Sequence, residues 1–295
     1  MREFVILTDS TSDLTRQMRQ EYNVDYVAMN YVIDGVEYPA SLDWENHSVK
    51  EYYDLMRNGT RVFTTQVPKN VYYDAFLAAV EAGKDVVYIS CSSALSASIN
   101  AARLVAQELM EAHPEANICC VDSLISSLGQ GYLVMEASRK RAEGLSAADT
   151  AAYIEGMKLC VNQCGTVASL EYLRRAGRVT ASKAFFGNLF GVKPLIISDR
   201  KGQNYAYKKA KGVANARVAI AEHIVQVANG VYENLFLTHA DCQEDIDLLK
   251  EEILKLAPFK NVVVSTIGPI VGASVGPGTV IAFCHGAEVM IEGNE

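Results

Sequence analysis

Apolar and polar positions follow two rhythms along the first half of the chain. Short apolar runs bounded by polar turns read as buried strands, and apolar positions recurring three and four apart read as helices facing a core. Segment 3–9, EFVILTD, is such a strand, and 10–22, STSDLTRQMRQEY, a capped helix. Residues 24–38, VDYVAMNYVIDGVEY, have strand character broken by a turn at Asp34-Gly35. SVKEYYDLMRNG (48–59) predicts a helix closed by Gly59, and VPKNVYYDAFLAAVEAG (67–83) another with Pro68 near its first turn. Strand 85–90, a helix from about Ser93, strand 117–123 and helix 127–144 complete this half; Leu95, Ile99, Ala102, Val105 and Leu109 share one face of the helix from Ser93.

The second half changes pattern. A helix is predicted over 146–163, then a strand over 165–169 and a basic, turn-rich segment, LEYLRRAGRVTAS (170–182). Residues 193–212 read as two strands joined at Asp199–Gly202, 212–230 as a helix and 232–241 as a strand. Asp241, three residues before Glu244, offers a capping box for a helix over 242–257. Strand 261–265, a glycine-rich loop TIGPIVGASVGPG (266–278) and strand 279–284 follow. The fold class is α/β, with two α/β domains: residues 1–158, with a mostly parallel sheet covered by helices on both faces, and residues 159–295. A ligand cleft is expected between them.

Composition narrows the function. The chain has 295 residues, of which 49% are hydrophobic and 21% charged, enough for about two domains at ~150 residues each. A net charge of −8 without a basic, aromatic-rich groove argues against nucleic acid as a partner. No apolar run approaches the ~18 residues of a membrane span and the start, MREFVILTDS, is not a signal peptide, so a cytoplasmic location without stable membrane insertion is expected. The seven cysteines form no C-x-x-C pair and read as buried, reduced thiols. The five histidines show no metal spacing, so no metal or cofactor is expected.

The chemistry concentrates in hydroxyl-rich turns at strand ends. ISCSSALSAS (89–98) puts five hydroxyls and a thiol where a strand hands over to a helix, and free amides with the helix dipole there favour an anion. Helix capping alone would use one hydroxyl. Similar turns occur at 9–14 (DSTSDL), 63–68 (FTTQVP) and 122–127 (DSLISS). In a parallel sheet they lie on one edge and line one cleft. Neither phosphate-loop pattern is present. Gly272–Gly276 matches G-x-S-x-G, yet a strand follows it, and the 21 residues beyond Ser274 hold one histidine and no aspartate. Asp9 lacks a D-x-D partner and reads as scaffolding, while His239 ends a strand and is placed to face a cleft.

In order along the chain, TDSTSDL, TTQV, SSALSASINAA, VDSLISSLGQG, SLEYLRRAGRVTASKAFFGNLFGVKPLI and IGPIVGASVGPG run nearly end to end. Together they resemble the DegV family of bacterial fatty-acid-binding proteins, which includes the binding subunits of fatty-acid kinase. The resemblance implies one long-chain fatty acid between two domains, its carboxylate met by hydroxyls, and delivery to the kinase's ATP-binding subunit. Carried over by position, Thr64 and Ser93 are the head-group hydroxyls, with Thr65, Ser92 and Ser96 beside them and Ser274 where the family commonly has histidine. Thr65 stands for serine, Val67 for proline and SAS (96–98) for SGT. Segment 184–197, AFFGNLFGVKPLII, reads as tunnel lining or ordinary core, and Arg178 as a contact to the partner or to an acyl phosphate, with solvated surface the ordinary alternative for it and for Arg174, Arg175, Lys208, Lys209 and Lys211. The chain then carries a bound lipid without catalysis of its own. The alternatives are an enzyme acting on a small carboxylate or phosphate in the same cleft, and a lipid-indifferent protein–protein regulator.

Overall fold

The computed structural model describes residues 2–181, 185 and 191–293. The first half runs β1 (Phe4–Asp9), α1 (Arg16–Glu21), β2 (Asp25–Val27), β3 (Asn30–Ile33), β4 (Val36–Pro39), α2 (Val49–Arg57), β5 (Val62–Thr65), α3 (Lys69–Glu81), β6 (Asp85–Ser90), α4 (Ser98–Ala112), β7 (Ile118–Asp122), α5 (Ser127–Ala142) and α6 (Ala147–Met157). A 3₁₀ turn (Lys158–Cys160) leads to β8 (Val161–Thr166), α7 (Leu170–Ala176), β9 (Val192–Ser198), β10 (Asn204–Lys211), α8 (Gly212–Ala228), β11 (Asn234–His239), α9 (Gln243–Leu256), β12 (Asn261–Thr266), α10 (Pro269–Val275) and β13 (Val280–His285).

Where the sequence predicts a mostly parallel sheet, strands β2-β1-β6-β7 form one that is parallel throughout. Alternation along β6 sorts its two faces. Val86 and Tyr88 pack with Phe76 of α3 and Leu109 of α4, whereas Val87 and Ile89 pack with Leu133 of α5 and Ile154 of α6. The second sheet, β10-β9-β8-β13-β11-β12, is antiparallel except between β11 and β12. Its Leu237 and Ala282 join α8 and α9 in one core, while Phe236 and Phe283 on the other face join the α5 core. Helix α5 is thus shared by both sheets, and every residue from Ser127 to Ser138 is buried.

Glycines make that sandwich possible. A Cβ on Gly129 would come within 2.9 Å of Phe283 in the second sheet, and one on Gly131 within 2.9 Å of the Ser12 carbonyl in the turn after β1 of the first. Each glycine costs ~1 kcal/mol of helix propensity, which the close approach of two layers offsets.

The turn at Asp34-Gly35 has positive φ at both residues, 50° and 81°, and closes the β3–β4 hairpin. Four local expectations fail, each for a tertiary reason. The helix expected over 146–163 stops at Met157, because Asn162, Gln163 and Cys164 pair with Cys284, Phe283 and Ala282 as strand β8. The loop 266–278 contains α10: Pro269 suits a first turn, and Gly272 admits the Tyr53 ring against the helix. Asp241 does not cap α9; its φ is 52° and its carboxylate takes the Arg57 guanidinium at 2.5 Å, leaving Cys242 at the cap position. Strand β5 is not in the parallel sheet but on the edge of a third, antiparallel one, β4-β3-β5.

The approach to α10 is fastened to the first half. Tyr52 donates its hydroxyl to the Pro269 carbonyl (2.6 Å) and Tyr53 to the Ile267 carbonyl (2.7 Å), and both rings are fully buried. The Gly268 amide donates to Asp13 Oδ1 (2.9 Å) and Ser265 Oγ to the Asp13 carbonyl (3.0 Å). No helix among the described residues is long and apolar enough to cross a membrane.

Candidate functional site

The carboxyl ends of β1, β6 and β7 face α10 across a cavity of about 260 Å³. Each hydroxyl-rich turn contributes to it: Thr11 after β1, Thr64 and Thr65 at the end of β5, Cys91 and Ser96 after β6, and Ser126 before α5. The opposite wall is Ile270, Val271, Ser274 and Val275 of α10, Gln163 of β8, Asn204 of β10 and Ile281 of β13. Strand β13 lies between β8 and β11, yet Ile281 is only half-buried, because its side chain meets this space. Thr65, Gln66, Ala97 and Arg178 form an exposed rim, whereas Thr11, Met29, Cys91, Ser126 and Gln163 form a buried floor. A second cavity of about 320 Å³, bordered by Arg61, Phe63, Tyr172 and Arg175, shares Thr64, Ser274 and Arg178 with the first. Those three mark the junction.

The wall is held from behind by Asp9, which is fully buried. Its Oδ1 accepts from the Thr11 amide (2.9 Å), the Thr11 hydroxyl and Gln130 Nε2 (3.3 Å). Its Oδ2 accepts from the Cys91 amide (2.9 Å) and the Tyr88 hydroxyl (3.1 Å). Tyr88 bonds the Tyr72 hydroxyl (2.8 Å), Tyr72 bonds Ser98 Oγ (2.8 Å), and Ser98 accepts from the Val67 amide (3.3 Å). One carboxylate therefore ties three of the four turns together, which satisfies buried donors that would otherwise each cost ~1–3 kcal/mol. Burial beside Asp9 pushes the Cys91 thiol well up, so it stands in the wall as a neutral group.

Not every expected head-group residue reaches the cavity. Thr64, Thr65, Ser96 and Ser274 do, but Ser92 and Ser93 do not. The amides of Leu95 and Ser96 both return to the Ser92 carbonyl (3.0 Å), and this turn delays the helix to Ser98. The delay leaves Ser93 exposed, with its amide donating to Asp122 Oδ1 (3.1 Å), and buries Ser92, whose hydroxyl donates to the Gly202 carbonyl (2.8 Å). Thr65 Oγ1 donates to Glu37 (2.9 Å) rather than standing free. Arg178 reaches across the rim, its Nε donating to the Leu95 carbonyl (2.9 Å).

Lys208, Lys209 and Lys211 lie away from the lining; Lys209 sits 4.8 Å from the centre of the Phe185 ring. Of the tunnel segment, 184 and 186–190 fall outside the described residues, and Phe185 is buried. His239 is buried, accepts from the Cys242 amide (3.2 Å) and is held below its usual range by that burial. Sequence reasoning missed Gln163 and Asn204, which only the β8 and β10 registers bring to the cavity. Arg178 is the one charged side chain among the described lining residues, and no histidine or carboxylate is among them. The chemistry on offer is hydrogen bonding to an oxygen at the junction and apolar contact along α10.

Residues 3–285 match the profile of the DegV family of uncharacterised proteins. A DegV domain-containing protein of Clostridium perfringens is 32% identical over 287 residues, covering 97% of this chain and 98% of that one. The chain belongs to the DegV family. A DegV family protein of Thermus thermophilus that binds fatty acid superposes with a TM-score of 0.88 at 27% identity, covering 97% of this chain and all of that one. DegV of Bacillus subtilis, a fatty-acid-binding protein, shares the fold with a TM-score of 0.83 at 23% identity, covering 97% and 100%. Both of these solved DegV proteins are thus fatty-acid-binding proteins of the same fold.

Proposed function

We propose that this chain binds a long-chain fatty acid in the interdomain cavity and presents it, in the cytoplasm, to the ATP-binding subunit of a fatty-acid kinase. The carboxylate sits at the junction, met by Thr64, Ser274 and the rim cation Arg178, with Ser96 nearby; the tail lies along Ile270, Val271, Val275 and Ile281. The observation that carries this reading is the pairing of half-buried Thr64 and Ser274, whose hydroxyls have no hydrogen-bond partner among the described residues, with an apolar helix face leading inward. The fatty-acid-binding relative at 27% identity supports it.

Magnitudes assign the roles. Burying ~14 methylenes at ~0.8 kcal/mol each gives a gross drive of about 11 kcal/mol. A charge-assisted hydrogen bond adds ~1–3 kcal/mol. Tail burial sets affinity and the hydroxyls set direction, leaving a carboxylate oxygen open to phosphorylation. On this reading the chain is a carrier and the kinase supplies the chemistry. Organic extraction of the purified protein followed by mass spectrometry, with titration of the stripped protein, tests this: a stoichiometric acyl chain and saturable binding are expected. Absence of both defeats it.

A further inference from the structure

The polar atoms lining the cavity divide by what they already bond. Thr11 Oγ1 contacts Asp9 and Gln130, Ser96 Oγ accepts from the Ser98 amide, and Asn204 accepts from Gln163 Nε2 (3.0 Å) while donating to the Arg178 carbonyl (3.1 Å). Apart from the head-group pair Thr64 and Ser274, two groups of the floor have no partner among the described residues: the hydroxyl of Ser126 and the amide oxygen of Gln163. Both residues are more than nine-tenths buried, at 9% and 6% exposure. They therefore belong to the enclosed part of the cavity, away from the exposed rim.

An unsubstituted hydrocarbon tail laid on that floor leaves a hydroxyl and a carbonyl oxygen desolvated without a partner, which is costly. The Gln163 amide is oriented by its own bond to Asn204, so the atom it presents is an acceptor. Ser126 both donates and accepts. The group that satisfies the two together is a hydroxyl, donating to Gln163 and accepting from Ser126. A keto oxygen has nothing to give Gln163, and a second carboxylate would meet no cation there.

We propose that the preferred ligand is a long-chain fatty acid bearing a hydroxyl on its chain, received by Ser126 and Gln163. This rests on the fatty-acid reading above and specifies its substrate class. The test uses full-length protein stripped of lipid on a hydrophobic resin, titrated calorimetrically with octadecanoic acid and with monohydroxyoctadecanoic acids whose hydroxyl is moved along the chain. One position, or two adjacent ones, should bind about tenfold more tightly than the unsubstituted acid, with other positions weaker. Ser126→Ala and, separately, Gln163→Met should abolish that preference, and because each removes a polar group that a plain tail leaves unsatisfied, octadecanoic acid should bind the variants several-fold more tightly than it binds the parent. If octadecanoic acid binds as tightly as every hydroxy isomer, ordered water serves the floor and the proposal falls while the fatty-acid reading stands. If no acid of either kind binds, both fall.

Discussion

Replacing Asp9 with asparagine probes the hub behind the cavity while preserving shape. The carboxylate receives five donors, from the Thr11 amide and hydroxyl, Gln130, Tyr88 and the Cys91 amide. Asparagine turns one oxygen into a donor. In its better orientation the new NH₂ faces Tyr88, whose hydroxyl can rotate to accept, and the Cys91 amide, which cannot. One buried N–H is then orphaned at ~1–3 kcal/mol, and the remaining bonds lose their charge assistance. Relief from burying a charge offsets part of this. The net expected loss is about 2–4 kcal/mol, or roughly 4–16 °C in Tm at ~2–4 °C per kcal/mol. Thermal melts give the total, and amide exchange at Cys91 locates it. A Tm within about 2 °C of the parent, with Cys91 equally protected, would refute the hub.

Burial raises the carboxyl of Asp13 to about 7, against the bonds from Ser127 and Gly268 that favour its charged form. The folded protein holds this proton more tightly than the unfolded chain, so the group's contribution is full at acid pH and lost as pH climbs from about 4 through 7. Asp13→Asn should match the parent near pH 4 and exceed it at pH 8 by up to about 4 kcal/mol in urea unfolding; equal curves at both pH values would refute the assignment. Thr64→Val should weaken acyl binding about five- to tenfold with Tm unchanged, because the hydroxyl bonds nothing else described; a parallel drop in Tm would return Thr64 to a structural role. At Gly276, φ is 77° and a Cβ would lie 2.3 Å from the Tyr172 ring, so Gly276→Ala should cost about 2–4 kcal/mol by denaturant titration, and a loss under ~1 kcal/mol would contradict that packing.

Local signals carried much of the first half. The alternation of β1, β6 and β7 with α3, α4 and α5 was legible because each strand is a continuous apolar run and each helix keeps a partial stripe. The turns were legible as clusters of small hydroxyls. What lay beyond reach depends on partners far away in the chain. Residues 269–275 look like a loop until Tyr53 fills the groove at Gly272, and Asn162–Cys164 look helical until β13 pairs with them. Ser93 and Ser96 are three residues apart in one turn, and only the return of two amides to Ser92 decides which faces the cavity. Gln163 carries no motif at all.

The four bonds that moor the approach to α10 onto the first half bear on how a guest changes places. Separating the halves as a hinge would break the ties of Tyr52, Tyr53, Gly268 and Ser265 together, at about 2–6 kcal/mol net before any apolar surface is wetted. The clasp from Arg178 to Leu95 is a single exposed bond, worth ~1 kcal/mol or less. On the proposed lipid-binding reading, loading and unloading would use the doorway while the walls stay shut, and the rate of lipid exchange would follow what happens to one arginine.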